Sequence, residues 1–524
     1  MRTAASPRHR FTGHRRVVAA VAGVLVLGAA APAALALDEV PPVGPAGVLA
    51  EQLEAAGIPG GAVVTTTTDG DVQARGVGTT GDGDPVTART AFVIGSTTKS
   101  FTSLAVMQQV DAGEVDLDAP VTQYVPELRL ASGEPVDEIT VRHLLQHTSG
   151  LDAAAGGPIL RSAVDGTALD AVAELRDSRL TSSPGETWSY ANINYVLAGL
   201  VVERASGMSY ADYVQQRILD PLRMTDTHVL AHPDVAPGHR YWFGFTVASG
   251  PVQRSGVVAA GYAASSARDL GRYLTMYLRD GLAADGTRVV SAEGVRTLIE
   301  PGPKAHLGPW ADGGVARYAM GWMVGGPWAE QAVFHPGNAP DSSAMVALFP
   351  GRDLAAAVLV PASHEVPVPG NPSLTDRISR ATLHAVLGEP VPAATSSWWS
   401  FYAIFNLVAG ALVCFGVWRL VRSVGVLLRR PVNGGPVRRW LRPLPAVATA
   451  VLLVLMPSAL GYGWGTAWTW APDLAVVIGV LLALAVLTAV LRLVGALRSG
   501  SSRDRLVPVE HVRERVIAAA GSRS

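Results

Sequence analysis

Three apolar stretches near the C-terminal end, at about residues 400–420, 443–460 and 473–491, constrain the chain more than any other feature. Each is near the length that crosses the hydrocarbon of a bilayer, where every backbone N–H and C=O must be satisfied within the segment, so three transmembrane helices are expected over residues 398–492. Arg419, Arg422, Arg429, Arg430, Arg438, Arg439 and Arg442 lie between the first and second, with no acidic residue among them. Residues 461–473, between the second and third, hold three tryptophans and no lysine or arginine. Arg492 and Arg498 come after the third. Basic residues stay on the cytoplasmic side, so the path runs outside, in, out, in, ending in a cytoplasmic tail at 493–524. Charges inside spans usually mark transport paths, and the interiors carry no acidic residue, which disfavours a transporter with an outer lid.

The other end agrees. Arg2, Arg8, Arg10, Arg15 and Arg16 precede an apolar run from Val17 to Ala33, then Ala34-Leu35-Ala36 and the acidic Asp38 and Glu39. This reads as a secretory signal peptide over residues 1–36, cleaved after Ala36; an uncleaved anchor is the alternative, and either one exports the domain that begins at residue 37. The pair Arg15-Arg16 is a weak hint of twin-arginine export. A formal net charge of −1 gives no argument for a nucleic-acid partner. Cys414 is the one cysteine in the sequence, so there is no intrachain disulfide and no cysteine metal cluster. No cofactor is called for.

Residues 37–392 remain for an exported domain, long enough to bury a sizeable core. Residues 37–50, rich in proline and alanine, read as a linker before a short helix at 51–56. Runs at 62–66 and 72–77, separated by Asp69-Gly70-Asp71, predict a β-hairpin. Residues 151–230 look mostly helical, with apolar spacing at 168–175 and 195–203. Ser266 and Asp269 form a capping-box pattern at a helix start. Residues 318–324 read as strand. Apolar strands at 344–349 and 354–361 flank Pro350-Gly351-Arg352-Asp353, and that late hairpin is placed to pair with the one near residue 65. The last helix is expected at 374–387.

The chemistry centres on Ser96-Thr97-Thr98-Lys99. The apolar positions Phe101, Leu104, Ala105, Val106, Met107 and Val110 predict a helix here, with Gly113 as its stop. Residues three apart share a helix face, so Lys99 lies one turn above Ser96 at the helix start, where backbone N–H groups are unpaired. An amine beside a hydroxyl and free backbone donors is an arrangement for nucleophilic catalysis. Ser-x-x-Lys alone is a weak pattern. Lysine, however, occurs only at Lys99 and Lys304, while 40 of the 42 basic residues are arginine. Arginine cannot release its proton in a protein and lysine can, so a lysine kept here points to a titratable amine; compositional drift is the plainer account.

Other candidates divide more evenly. His143 and His147 are four apart, as helical zinc ligands are, but no glutamate follows His143, and a packed helix end explains them better. Pro184-Gly185 marks a turn, which sets Tyr190 and Asn192 just before a helix; they are either functional or a buried tyrosine and an N-capping asparagine.

In order and spacing, Ser96-Thr97-Thr98-Lys99, Tyr190-Ala191-Asn192 and His335-Pro336-Gly337 resemble the serine β-lactamase and penicillin-binding-protein superfamily, above all its class C β-lactamase, D,D-peptidase and esterase branch. His147-Thr148-Ser149-Gly150 and Gly321-Trp322 also resemble that branch. The likeness covers roughly residues 45–390. It implies an α+β domain, an antiparallel sheet from both chain ends with a helical part between, and a site at their junction. It further implies Ser96 as nucleophile, Lys99 and Tyr190 as shared general base, and Asn192 as a partner of substrate and lysine. The backbone N–H groups of Ser96 and Asn338 would form the oxyanion hole, with His335 and Gly337 also at the substrate. One departure stands out: His335 and Pro336 occupy positions where many β-lactamases carry lysine and a hydroxyl. A mostly neutral histidine weakens the hold on a substrate carboxylate.

The sequence therefore predicts a membrane-anchored, extracytoplasmic serine hydrolase acting on a small molecule or peptide, cell-wall derived in one version. It is an esterase or D-amino-acid peptidase in the leading reading, and a β-lactamase or D,D-carboxypeptidase in the alternative. A non-catalytic sensor of cell-wall fragments is the competitor from another class.

Overall fold

The computed structural model describes residues 44–153, 155, 166–305, 316–326, 328, 331–363, 373–393, 397–428, 436–459 and 463–501. The expected signal peptide, and the tail beyond residue 501, lie outside the described residues.

A seven-stranded antiparallel sheet forms the floor of the domain. Its strands are β1 (Gly60–Thr66), β2 (Gln73–Gly78), β7 (Arg317–Tyr318), β8 (Met323–Gly325), β9 (Ala332–Ala339), β10 (Ser342–Phe349) and β11 (Leu354–Val360), in the order β2-β1-β11-β10-β9-β8-β7. Outside it, β3 (Ala91–Val93) pairs with β6 (Ala264–Ser266), and β4 (Gly238–Trp242) lies between β5 (Phe245–Ser249) and β12 (Ala362–Ser363), in two small separate sheets. The early and late hairpins pair as expected, with Ala62 opposite Leu359 and Thr66 opposite Ala355. Both faces are covered, which is why β10 from Ala344 onward and β11 read as unbroken apolar runs rather than alternating ones. Period-two alternation sends Ala355, Ala357 and Leu359 into one core and Ala356, Val358 and Val360 into the other.

Two terminal helices cover the second face: α1 (Pro45–Ala56), carrying Leu49 and Leu53, and the last helix of the domain, Leu374–Leu387, carrying Ile378 and Leu383. The expected linker is thus helical from Pro45 onward. Gly44 at φ 77° turns the chain in, proline's fixed φ suits the first helical position, and Gly57 at φ 67° ends the helix.

The first face packs on the helical half. Its centre is α2 (Thr98–Asp111) against α3 (Asn192–Ser206), with α4 (Ala267–Leu278) lying across the sheet. Ser266 caps α4 by accepting from Asp269 N, and the Asp269 carboxylate takes Asp226 N at 2.6 Å instead of completing a box. The expected strand at 318–324 is two short strands folded back at Gly321, φ 74°. An added Cβ there would meet the Lys99 carbonyl oxygen at 2.8 Å, so glycine lets this corner close over the lysine's own turn.

All three apolar stretches of the tail are helical: α5 (Ser397–Leu428), α6 (Leu444–Ala459) and α7 (Pro472–Ser501). Two of them, over Phe401–Leu428 and Pro472–Arg498, are long and apolar enough to cross a membrane. The middle one has 16 residues, about 24 Å at 1.5 Å per residue, short of the roughly 30 Å hydrocarbon core. Pro457 lies inside it.

Candidate active site

The chain enters the site through a tight 3-10 turn, Gly95–Thr97, directly before α2. Gly95 adopts φ 53°, and a Cβ on it would lie 2.4 Å from Asn338 N. Glycine is required twice over, for the left-handed backbone and for the close approach of the turn to β9. β8 pairs with β9 only as far as Phe334, which leaves residues 335–339 bonded to β10 on one side and facing the turn on the other. Pro336 is tolerated there because that edge needs no continuous ladder. Gly337 completes the fit: a Cβ on it would sit 1.9 Å from the Ile94 carbonyl oxygen and 2.8 Å from Thr97 N. Gly337→Ala is therefore expected to push the strand off the turn. Overpacking of this kind costs about 1–3 kcal/mol, and turnover should fall more than the melting temperature implies, which paired kinetics and thermal unfolding measure.

Ser96 is half-buried, whereas the residues from Thr97 to Met107 are buried. Lys99 is fully buried, and its Nζ sits 3.0 Å from Ser96 Oγ and 2.8 Å from Asn192 Oδ1, with the Ala260 carbonyl oxygen as third partner. A neutral amine has two N–H groups and one lone pair. The two carbonyl oxygens use the N–H groups, and the lone pair is left for the Ser96 hydroxyl. Burial holds the Lys99 pKa well below its ordinary value, and no carboxylate among the described residues opposes that shift.

Asn192 is the first residue of α3, not its cap; Ala191 holds the cap position and no side chain caps it. That frees the amide for Lys99. Tyr190 precedes it in the loop, its ring centre 4.9 Å from Lys99 Nζ and 4.3 Å from the ring of His147. His147 has φ 56°, and its Nδ1 accepts from Ala191 N at 3.2 Å, so it props the Tyr190 loop. His143 serves elsewhere, as the third residue of the capping box that Thr140 opens at Val141–Leu145. The two histidines thus do separate structural jobs, as a packed helix end implies. The Ala260 carbonyl gives no sequence signal, being main chain. Tyr318 gives little more; its hydroxyl reaches His335 Nε2 at 3.1 Å.

His335 corrects one expectation. Its side chain is 1 % exposed, with Nε2 on Tyr318 and Nδ1 at 2.6 Å from the Pro336 carbonyl oxygen. An imidazole enclosed in this way shapes the strand and does not itself face an incoming carboxylate. Burial first, and then the nearby Lys99, bring its pKa down to about 3. His147 is lowered for the same reasons, burial leading and Lys99 next. Three basic groups share one buried pocket, and burial shifts each of them toward its neutral form.

The neutral histidines make the fold sensitive to acid. A histidine whose folded pKa lies below 6.5 keeps its full contribution above that value and loses it as pH falls from 6.5 toward the folded value. Each such group removes up to about 1.4 kcal/mol per pH unit. Thermal unfolding of wild type should weaken steeply from pH 6.5 down to about 3, and His335→Gln should have a shallower slope over that window. Equal slopes would mean that the imidazole charges without penalty.

A buried amine on a serine hydroxyl at a helix start, with a backbone-lined strand opposite, defines a serine acyl-transfer site in an α+β fold. The chain belongs to the beta-lactamase family, whose model matches residues 46–377. It is 31 % identical over 331 residues to penicillin-binding protein 4 of Amycolatopsis lactamdurans, a match covering 57 % of this chain and 80 % of that protein. The octameric penicillin-binding protein homologue from Pyrococcus abyssi superposes with TM-score 0.55 at 29 % identity, over 65 % of this chain and 76 % of that one. D-amino acid amidase from Ochrobactrum anthropi shares the fold, with TM-score 0.55 at 24 % identity, covering 65 % of this chain and 96 % of that one. The family is one of serine hydrolases, and this chain is a serine hydrolase of the beta-lactamase-related type.

Proposed function

We propose that the chain is a membrane-anchored hydrolase on the extracytoplasmic side, acting through an acyl-enzyme on a small ester or on the amide of a D-amino acid or short peptide. The observation that carries this reading is the fully buried Lys99 amine 3.0 Å from Ser96 Oγ, its pKa lowered by burial. Ser96 Oγ attacks the carbonyl carbon while its proton passes to the Lys99 lone pair, with Tyr190 sharing the transfer. The N–H groups of Ser96 and Asn338 hold the oxyanion. The tetrahedral intermediate collapses, the leaving nitrogen or oxygen takes the proton, and Ser96 is left as an ester. Water then attacks, gives its proton to the same base, and Ser96 Oγ departs with a proton restored. Asn192 holds the lysine and a substrate amide.

Neutral esters and amides are favoured over carboxylate-bearing lactams because His335 offers no charge at the third motif. The name of the Amycolatopsis relative supports penicillin at least as an acylating ligand. The test is a panel of p-nitrophenyl esters, D-alanyl peptides and nitrocefin on the full chain in detergent, with a fluorescent penicillin as label. Ester or amide turnover with slow nitrocefin cleavage supports the reading. Labelling without turnover of any substrate favours the sensor, and nitrocefin as the best substrate favours a β-lactamase.

The three-span path is part of the proposal. With Cys414 replaced, a cysteine introduced at Asn433 should react only after permeabilisation and one at Thr466 in intact cells. The reverse pattern would overturn the export argument.

A further inference from the structure

The tail does more in this structure than trail the domain. Two short strands outside the main sheet, β4 (Gly238–Trp242) and β5 (Phe245–Ser249), form a hairpin whose tip, Trp242-Phe243-Gly244, enters the tail helices. Phe243 takes φ 54° and Gly244 φ 98°, the paired left-handed conformations of a tight two-residue turn. Asn406 Nδ2 donates to the Phe243 carbonyl oxygen at 3.0 Å, and Phe243 N donates to Asp473 Oδ2 at 3.4 Å. Both main-chain groups of Phe243 are therefore taken by side chains of α5 and α7.

Aromatic rings close around these bonds. Phe243 lies 6.2 Å from Phe405, Trp242 meets Trp468 edge-on at 6.1 Å, and Tyr241 stacks on Tyr402 at 6.2 Å, centre to centre. Tyr402 and Asp473 are 2 % and 1 % exposed and lie close enough to interact electrostatically. A buried carboxylate at the head of an apolar helix is costly unless partnered. Here its partners are a tyrosine of another tail helix and the backbone of the catalytic domain.

At its other end the hairpin abuts the catalytic strand. His239 N donates to the Asp341 carbonyl oxygen at 2.9 Å, and a Cβ on Gly238 would lie 1.9 Å from that oxygen. Asp341 lies in the β9–β10 turn, three residues after Asn338.

We propose that the β4–β5 hairpin is a rigid seat that fixes the catalytic cleft at one height above the bilayer, and that the enzyme's substrates are membrane-attached esters or amides. This rests on the anchored-hydrolase reading above. Asn338 is within about 30 Å of the hairpin tip by way of β4, the His239–Asp341 hydrogen bond and the β9–β10 turn, at 3.3 Å per strand residue. A scissile carbonyl must therefore stand no more than roughly nine extended residues from its anchor at the membrane surface. A domain swinging on a flexible connection would have no such limit.

The experiment uses the full chain in nanodiscs. An activated ester is coupled to a lipid headgroup through polyproline spacers of graded length, rigid at about 3.1 Å per residue, and turnover is compared with that of the same ester free in solution. Wild type should cleave the lipid-linked ester over a narrow band of spacers below about 30 Å. Gly244→Val, which puts a β-branched side chain at φ 98° against the Tyr402 ring, should broaden that band while free-ester turnover is kept. The seat itself is read by Gly244→Cys with Tyr402→Cys in a Cys414→Ser background. A Cβ at residue 244 lies 3.1 Å from that of Tyr402, close to the ~3.8 Å of a disulfide, so mild oxidation should cross-link the pair within one chain. Absence of the cross-link in active protein, or lipid-ester turnover indifferent to spacer length, overturns the proposal. Loss of free-ester turnover in wild type overturns the anchored-hydrolase reading instead.

Discussion

Ser96→Ala removes both covalent labelling and turnover, and the protein still folds: that is the expected result with the largest effect. The hydroxyl is the one atom at the head of α2 that is both accessible and in contact with the buried amine, 3.0 Å from Lys99 Nζ. A nucleophile has no partial substitute, so kcat should drop by at least about 10³-fold. Stability should change little, because the lost side chain is small, half-buried and engaged in one hydrogen bond worth about 0.5–1.5 kcal/mol. The amine keeps Asn192 and Ala260. Mass spectrometry after a fluorophosphonate or penicillin label reads the outcome. Full-stoichiometry adduct on another serine would move the nucleophile elsewhere.

Much of this site was legible because the chemistry is carried by side chains at fixed spacing. Ser96 and Lys99 are neighbours on one turn wherever the helix packs, and the Pro184-Gly185 turn sets Tyr190 ahead of a helix that Asn192, expected just before it, in fact begins. The sheet was legible too, since β10 from Ala344 onward and β11 are apolar at every position and must be covered on both faces. What was not legible depends on main chain and depth. The Ala260 carbonyl that helps fix the lysine has no side-chain signature. His335 reads as a pocket residue from its motif, yet burial among Tyr318 and the Pro336 carbonyl is set by the fold of the Gly321 corner, which no local pattern reveals. The end of α1 was read at 51–56, but its first half, from Pro45, was hidden by its proline and alanine content, although Leu49 and Leu53 carry the spacing that docks it. The tail stretches each read as near the length of a bilayer crossing, and the helix ends single out two of them as long enough. The seat between Phe243 and Asn406 joins segments more than 160 residues apart and left no trace in either.

Lys99→Arg should be as inactive as Lys99→Met, and less stable than either Lys99→Met or wild type. Forty of the 42 basic residues of this chain are arginine, so arginine is the substitution its composition would tolerate most readily elsewhere. At this position it brings a permanent charge and a broad fork into a dry site shaped for one amine, and it cannot accept the Ser96 proton. Methionine matches the shape, carries no charge and supplies no lone pair of useful basicity. The two variants therefore fail at catalysis for one shared reason and differ in stability for another. Burial lowers the folded pKa of Lys99, so the unfolded chain binds the extra proton. Wild-type stability must then rise with pH across the window from the folded pKa up to about 10.5, where the unfolded lysine also loses its proton. Lys99→Met should flatten that rise and be at least as stable as wild type near neutral pH. The activity of wild type should likewise increase with pH through the lowered pKa, as the free amine becomes the dominant form. An arginine variant retaining more than about a tenth of the wild-type rate, roughly 1.4 kcal/mol of barrier, would reduce Lys99 to an electrostatic support. A methionine variant with an unchanged slope of stability against pH would mean that the amine stays protonated in the fold, and that the proton from Ser96 leaves by way of Tyr190.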